Sequence, residues 1–271
     1  MLQAFLEENF KDKNIGFVPT MGALHKGHVS LIEQSIKNND ITVVSIFVNP
    51  TQFNNLDDLN KYPRTLEIDL KILEEVNCDA VFIPSVKEIY PQKEPAIKFN
   101  FQGLEKVMEG KFRLGHFEGV GTVVKKLFEI VKPTHAYFGE KDFQQLLIIK
   151  KMISQLKMPV NIISCPIFRE ESGLAMSSRN ERLSAPLRKE AHLIYKCLQK
   201  VKADFKKSTP SELSKFVAKT FHNKPFFKLE YFTIAEAETL IQADKIDPNK
   251  NYRAFIAIFV DEVRLIDNIA L

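Results

Sequence analysis

Pro19-Thr20-Met21-Gly22-Ala23-Leu24-His25-Lys26-Gly27-His28 joins an apolar run, Ile15 to Val18, to a stretch from Val29 to Lys37 whose Val29, Ile32 and Ile36 recur at helical spacing. A strand, a glycine-containing turn and the start of a helix therefore meet at two histidines. Free backbone N–H groups and the positive end of a helix dipole converge at such a junction, which suits it to anionic phosphates. Gly22 and Gly27 permit close backbone approach, and the imidazoles of His25 and His28 can donate to phosphate oxygens. His-x-Gly-His also arises by accident in loops, and His-x-x-His can ligate zinc. The zinc reading is the weaker one, because Cys78, Cys165 and Cys197 lie far apart, form no Cys-x-x-Cys pair and leave only the two histidines as visible ligands.

Outward from this turn the same alternation continues. Ile15–Val18, Ile41–Val48, Ala80–Ile83, Ala136–Phe138 and Val160–Ile163 are short, rich in Val, Ile and Phe, and bounded by polar or breaking residues, as strands are. Between them, Val120, Val123, Val124, Leu127, Phe128 and Val131 form one helical stripe, and Leu146, Ile149, Ile153 and Leu156 another over Phe143 to Leu156. Strands separated by helices predict an α/β fold, a Rossmann-like mostly parallel sheet flanked by helices. Ligands of such sheets bind beyond the carboxyl ends of the strands, where His25, His28, Asn49 and Lys141 would emerge. After Ser184 the pattern changes. Pro186 opens a long polar and apolar stretch to Phe205, a helix is predicted over Ser211 to Phe221, and strands over Leu229–Ile234, Ala254–Phe259 and Glu262–Ile266. This predicts a smaller C-terminal α+β domain bearing an antiparallel sheet. The expected division is residues 1–175 for the larger domain and 176–271 for the smaller, lid-forming one.

The 271 residues suffice for a large buried core, and 45% hydrophobic with 27% charged residues is ordinary for a soluble globular protein. A net charge of +4, spread along the chain, gives no electrostatic case for nucleic acid. No apolar run approaches the roughly 20 residues of a membrane span, and Glu7, Glu8 and Asp12 do not suit a signal peptide. Scattered cysteines fit a reducing compartment, so a cytoplasmic protein with structural thiols is expected.

Three further clusters accompany the histidine turn. Val48-Asn49-Pro50-Thr51-Gln52-Phe53 offers neutral amides for hydroxyls and carboxylates, although Asn-Pro is also a common turn former. In Phe138-Gly139-Glu140-Lys141-Asp142-Phe143-Gln144-Gln145, Lys141 brings a cation after a strand, and Asp142 suits a helix cap. Gly173-Leu174-Ala175-Met176-Ser177-Ser178-Arg179-Asn180 sets two hydroxyls and a guanidinium on a Gly-led loop that could close over a triphosphate. Each alone also reads as an ordinary loop. Together, a His-x-Gly-His turn at the first strand and a hydroxyl-and-cation loop after the last one form the layout of adenylate-forming nucleotidyl transferases.

With these clusters, and with Tyr62-Pro63-Arg64-Thr65, Gly115-His116-Phe117-Glu118-Gly119-Val120 and Arg264-Leu265-Ile266-Asp267-Asn268, the chain resembles the pantothenate synthetases, or pantoate–β-alanine ligases, over nearly its whole length. The resemblance implies ATP-dependent ligation: (R)-pantoate is activated as pantoyl adenylate with release of pyrophosphate, and β-alanine then displaces AMP. It implies an ATP segment of Met21, Gly22, Ala23, Leu24, His25, Lys26, Gly27 and His28, with His28 as proton donor and His25 its phosphate-binding companion. Physically, either histidine could instead act by steadying charge. It implies a second ATP segment of Gly139, Glu140, Lys141 and Asp142, with Lys141 on the phosphates. Phe168 would make a largely backbone contact to the nucleotide, and Met176, Ser177, Ser178 and Arg179 would supply the closing loop. Gln52 and Gln145 would hold pantoate, and Gln52 also β-alanine. Mg2+ would accompany ATP, held mostly by phosphates and water. Asp69 is a candidate to lie near that ion, but aspartates on exposed helix faces are usually just solvated, and it is left out of the metal assignment. The resemblance also implies a homodimer, and the charge and hydropathy of the sequence lead to the expectation of no nucleic-acid or membrane partner. Departures from its pattern are a short segment before Ile15, Leu114 in place of a proline, and Phe259-Val260-Asp261-Glu262 where a glycine turn is common. Competing readings are another adenylyl-transfer enzyme, such as a cofactor nucleotidyltransferase or an aminoacyl-tRNA synthetase fragment, and a non-catalytic nucleotide-binding module.

Overall fold

A computed structural model describes residues 2–53, 56–92 and 97–271. Along the chain the elements are α1 (Leu2–Asn9), β1 (Ile15–Thr20), α2 (Lys26–Asn38), β2 (Ile41–Ile46), α3 (Leu56–Asn60), α4 (Leu66–Glu75), β3 (Ala80–Phe82), α5 (Val86–Ile89), α6 (Met108–Phe112), α7 (His116–Val131), β4 (His135–Gly139), α8 (Phe143–Leu156) and β5 (Asn161–Cys165). They continue as α9 (Ala185–Glu190), α10 (His192–Asp204), α11 (Pro210–His222), β6 (Phe227–Glu236), β7 (Tyr252–Val260) and β8 (Val263–Ala270). Two compact units result: Met1–Glu140 with Gln144–Pro166, and Lys141–Phe143 with Ile167–Leu271. Among the described residues no helix is long and apolar enough to cross a membrane.

The first unit is the expected parallel sheet, in the order β3-β2-β1-β4-β5. Strand alternation sends side chains to opposite faces. Val18, Val44 and Tyr137 pack on one face with Ile32 of α2 and Leu73 of α4. On the other face Phe17 and Phe138 meet Phe128 of α7, edge to face with Phe17 at 6.2 Å and with Phe138 at 6.4 Å. The chain runs outward from β1 through β2 to β3 and then returns to β4, so the switch in strand order lies between β1 and β4. There the ladder is short: β1 pairs with β4 only at Gly16↔His135 and Phe17↔Ala136, whereas it pairs with β2 as far as Thr20↔Ile46. Pro19, which has no N–H to give, lies beyond the last β1–β4 pair. The carboxyl ends at this switch are where such sheets place ligands.

The second unit is an antiparallel β6-β7-β8 sheet. Ile256 and Ile258 of β7 pack with Ile194 and Leu198 of α10 and with Val217 and Phe221 of α11. The turn between β7 and β8 needs no glycine, because Asp261 takes the left-handed conformation at φ +53°, one that Asp tolerates better than most residues. The stretch from Pro186 to Phe205 is two helices rather than one. The His192 ring bonds the Lys189 carbonyl at 2.6 Å, so a side chain enters the ladder where α9 gives way to α10. Cys78, Cys165 and Cys197 are free thiols, and burial pushes each up to about 11, as structural cysteines in apolar surroundings require.

Candidate active site

The turn after β1 is built from backbone strain and buried polar bonds. Gly22 (φ +79°) and Ala23 (φ +49°) are both left-handed. Thr20 Oγ1 donates to the Ser45 carbonyl at 2.7 Å and accepts from Gly22 N at 3.2 Å, which ties the turn to β2. His25 then caps α2: its Nδ1 accepts from Gly27 N at 3.1 Å, while His28 Nδ1 accepts from His25 N at 3.3 Å. This is a capping box made by two imidazoles in place of a hydroxyl and a carboxylate. The rings lie 4.1 Å apart, tilted by 31°. Since each Nδ1 receives a backbone proton, each neutral ring carries its own proton at Nε2. The pair is thereby set as two Nε2–H donors at a helix N-terminus, a donor set suited to an anion.

Asp69 departs from the sequence reading. It is 1% exposed rather than solvated, with Oδ2 accepting from Ala23 N at 2.9 Å and Oδ1 from Leu24 N at 2.8 Å.

Gln52 stands beside the same turn, its Nε2 3.3 Å from Met21 Sδ. Its amide is oriented by Asn49, whose Nδ2 donates to Gln52 Oε1 at 3.2 Å and to the Gly119 carbonyl at 3.3 Å. Asn49 Oδ1 accepts in turn from Thr51 Oγ1 (3.0 Å) and from the Tyr90 hydroxyl (2.9 Å). Burial raises the Tyr90 phenol above its ordinary value and so keeps the proton it donates. The Gln52 carbonyl accepts from Nδ1 of buried His116 at 2.8 Å. The Asn49 amide, expected together with that of Gln52 to read a substrate's hydroxyls and carboxylates, orients Gln52, and His116 and Gly119, marked in the sequence only as parts of a motif, support the same loop. Glycines at tight approaches and buried histidines show their use only in three dimensions.

The two glutamines that begin α8 divide the work. Gln144 is buried, accepts from Glu109 N at 3.0 Å, and donates to the carbonyls of Leu104 at 2.6 Å and Val107 at 2.8 Å. Gln145, the one singled out from the sequence, is half-buried and makes no side-chain hydrogen bond among the described residues.

The remaining candidates fall in the second unit, apart from Gly139 and Glu140, which belong to the first. Lys141 Nζ lies 3.5 Å from Asp142 Oδ1, and the Lys141 carbonyl accepts from Asn268 Nδ2 at 2.9 Å. Phe168 and Met176 face each other across a hairpin, the Phe168 carbonyl accepting from Met176 N at 3.0 Å, with Gly173 left-handed at its bend. Arg169 holds this hairpin to β8 by two bonds to buried Asp267, at 2.7 and 2.9 Å, with its guanidinium 3.7 Å from the Tyr195 ring centroid. Ser177 caps the following 3-10 turn, its Oγ accepting from Arg179 N at 3.2 Å. The Arg264-to-Asn268 motif thus has a visible purpose, since Asp267 and Asn268 anchor the Phe168 hairpin and the Lys141 turn. Among the described residues no three His, Cys, Asp or Glu side chains gather as a metal site.

A doubly wound parallel sheet with a donor-lined, left-handed turn at its switch point places the chain among the α/β proteins, whose ligands bind at such switch points. The family profile described as pantoate-beta-alanine ligase matches residues 1–270. The chain belongs to that family. It is 55% identical over 271 residues to a pantothenate synthetase of Flavobacterium psychrophilum, covering 100% of this chain and 95% of the relative. It is 53% identical to one of Christiangramia forsetii, covering 100% and 96%. Among solved structures it is similar to pantothenate synthetase from Thermus thermophilus, with a TM-score of 0.90 at 39% identity, covering 98% of this chain and 96% of that one. It is also similar to pantoate-beta-alanine ligase from Francisella tularensis complexed with beta-gamma ATP and beta-alanine, with a TM-score of 0.83 at 40% identity, covering 99% and 94%.

Proposed function

We infer that this protein is a pantoate–β-alanine ligase that condenses (R)-pantoate with β-alanine to give pantothenate, AMP and pyrophosphate. What carries the reading is membership of the ligase family along residues 1–270, joined to the His25–His28 donor pair on the turn after β1. A free carboxylate is a poor acyl donor, so the acid is first activated. A pantoate carboxylate oxygen attacks the α-phosphorus of ATP, the bond between that phosphorus and the bridging oxygen breaks, and pyrophosphate leaves. The amine of β-alanine then attacks the acyl carbon, loses a proton, and expels AMP with cleavage of the carbon–oxygen bond.

In this reading Met21 to His28 receive the ATP phosphates, with the Nε2–H groups of His25 and His28 directed at charge that grows on the α-phosphate and leaving pyrophosphate. The backbone acceptor role of both Nδ1 atoms favours charge stabilisation over proton donation by His28, because a second ring proton would displace a capping bond. Gly139, Glu140, Lys141 and Asp142 form the second ATP segment, Phe168 a nucleotide contact, and Met176, Ser177, Ser178 and Arg179 the closing loop of a lid formed by the C-terminal residues. Gln52 and Gln145 hold pantoate, and Gln52 also β-alanine. Gln52's amide is already fixed by Asn49, and Gln145's makes no hydrogen bond among the described residues. Mg2+ accompanies ATP. The donors on the histidine turn are N–H groups and imidazoles, which suit the phosphates rather than the ion, so no residue is assigned to the metal. We further propose a cytoplasmic homodimer.

The purified protein given ATP, pantoate and β-alanine should form AMP, pyrophosphate and pantothenate, with AMP formation dependent on pantoate. Formation of ADP and phosphate instead would contradict the reading.

A further inference from the structure

The start of helix α4 reverses the usual pattern, although Leu73 further along it joins the core. Leu66, Ile68 and Leu70 are 43%, 59% and 39% exposed, while Asp69 among them is 1% exposed. An amphipathic helix ordinarily buries the apolar residues and leaves the carboxylate in water. A buried carboxylate persists when hydrogen bonds satisfy it, and three donors do so here. Ala23 N reaches Oδ2 at 2.9 Å, and Leu24 N and Thr65 Oγ1 reach Oδ1 at 2.8 and 3.1 Å. Two of these donors belong to the turn that leads into His25, where Ala23 is held at φ +49°. A left-handed non-glycine residue persists only where its surroundings over-determine it. Gly22, before it, is also left-handed, and a Cβ there would lie 2.9 Å from Asp69 Oδ2. Glycine at this position is therefore what lets the carboxylate close on the turn.

We propose that Asp69 is a positioning residue for ATP: its carboxylate clamps the Ala23 and Leu24 amides, presets the left-handed turn, and so aims the helix N-terminus with His25 and His28 at the phosphates. This rests on the assignment of Met21 to His28 to ATP. Asp69→Asn keeps one acceptor and sets an NH2 donor against the other backbone N–H, so it should break half of the clamp with little change of volume.

The test compares steady-state kinetics of the full-length wild type with Asp69→Asn, Thr65→Ala and His28→Ala, varying ATP, pantoate and β-alanine in turn. Asp69→Asn should raise the KM for ATP about tenfold while the KM for β-alanine stays within about twofold, the scale of one charge-assisted hydrogen bond lost from the binding of one substrate. Thr65→Ala, which leaves the carboxylate in place with one donor fewer, should raise the KM for ATP by about two- to threefold, and it decides the matter if Asp69→Asn does not fold. A fall in kcat with all three KM values unchanged would reveal general destabilisation and overturn the proposal. So would wild-type KM values for ATP in both variants while His28→Ala loses turnover, an outcome that leaves the site assignment standing. Wild-type turnover in His28→Ala would remove the site assignment and this inference together.

Discussion

For the individual side chains, the chemistry turns on which ring nitrogen carries a proton. His25 Nδ1 and His28 Nδ1 both accept backbone N–H groups, so the neutral tautomer of each is protonated at Nε2. Nitrogen-15 spectra of the two imidazoles, taken at a pH where both rings are neutral, should show Nδ1 unprotonated and Nε2 protonated in both. Protonated Nδ1 atoms would contradict the capping geometry. The residues of this turn were legible in the sequence because His, Gly and a following helical period occur in one short stretch. Asp69 was not: it lies 46 positions from Ala23, between apolar residues whose exposure no periodicity announces. Gln144 and Gln145 show a similar limit, since adjacent identical side chains differ only in which one the fold buries.

Among the helices, strands and loops, the Gln52 loop is set by its approach to α7. A Cβ on Gly119 would lie 2.5 Å from the Thr51 carbonyl oxygen and 2.9 Å from Gln52 Cα, both backbone atoms with little freedom to withdraw. Gly119→Ala should therefore push the loop off the helix, costing about 1–3 kcal/mol of stability as overpacking does and raising the KM for pantoate, the substrate assigned to Gln52. Denaturant unfolding and initial-rate kinetics would check this, and an unchanged stability with an unchanged KM would show that the contact is not a constraint. Elements were legible to different degrees for physical reasons. The helix over Phe143 to Leu156 stands where its stripe placed it. The strand expected over Ile41–Val48 ends at Ile46, since Phe47, Val48 and Asn49 leave the sheet to carry the Gln52 loop. The β7–β8 turn formed without glycine because Asp261 supplied the left-handed residue.

Across the chain, the α/β sheet and the antiparallel sheet were both legible, because one alternates strands with helices and the other sets strands side by side. The strand order was not. Nothing in the apolar runs tells that β1 neighbours β4, and that pairing, only two residues long, creates the switch point at which the histidine turn stands. Nor did the sequence show that Asp267 and Asn268, near the end of the chain, secure the Phe168 hairpin and the Lys141 turn, since both bonds join residues far apart in the chain. If these parts together serve an acyl adenylate, an oxygen label will follow the activated acid. With pantoate labelled by oxygen-18 in its carboxylate, attack on the α-phosphorus and later carbon–oxygen cleavage leave one labelled oxygen on AMP. Label in AMP and none in free phosphate is the expected result; unlabelled AMP, with the label in inorganic phosphate, would contradict the adenylate route.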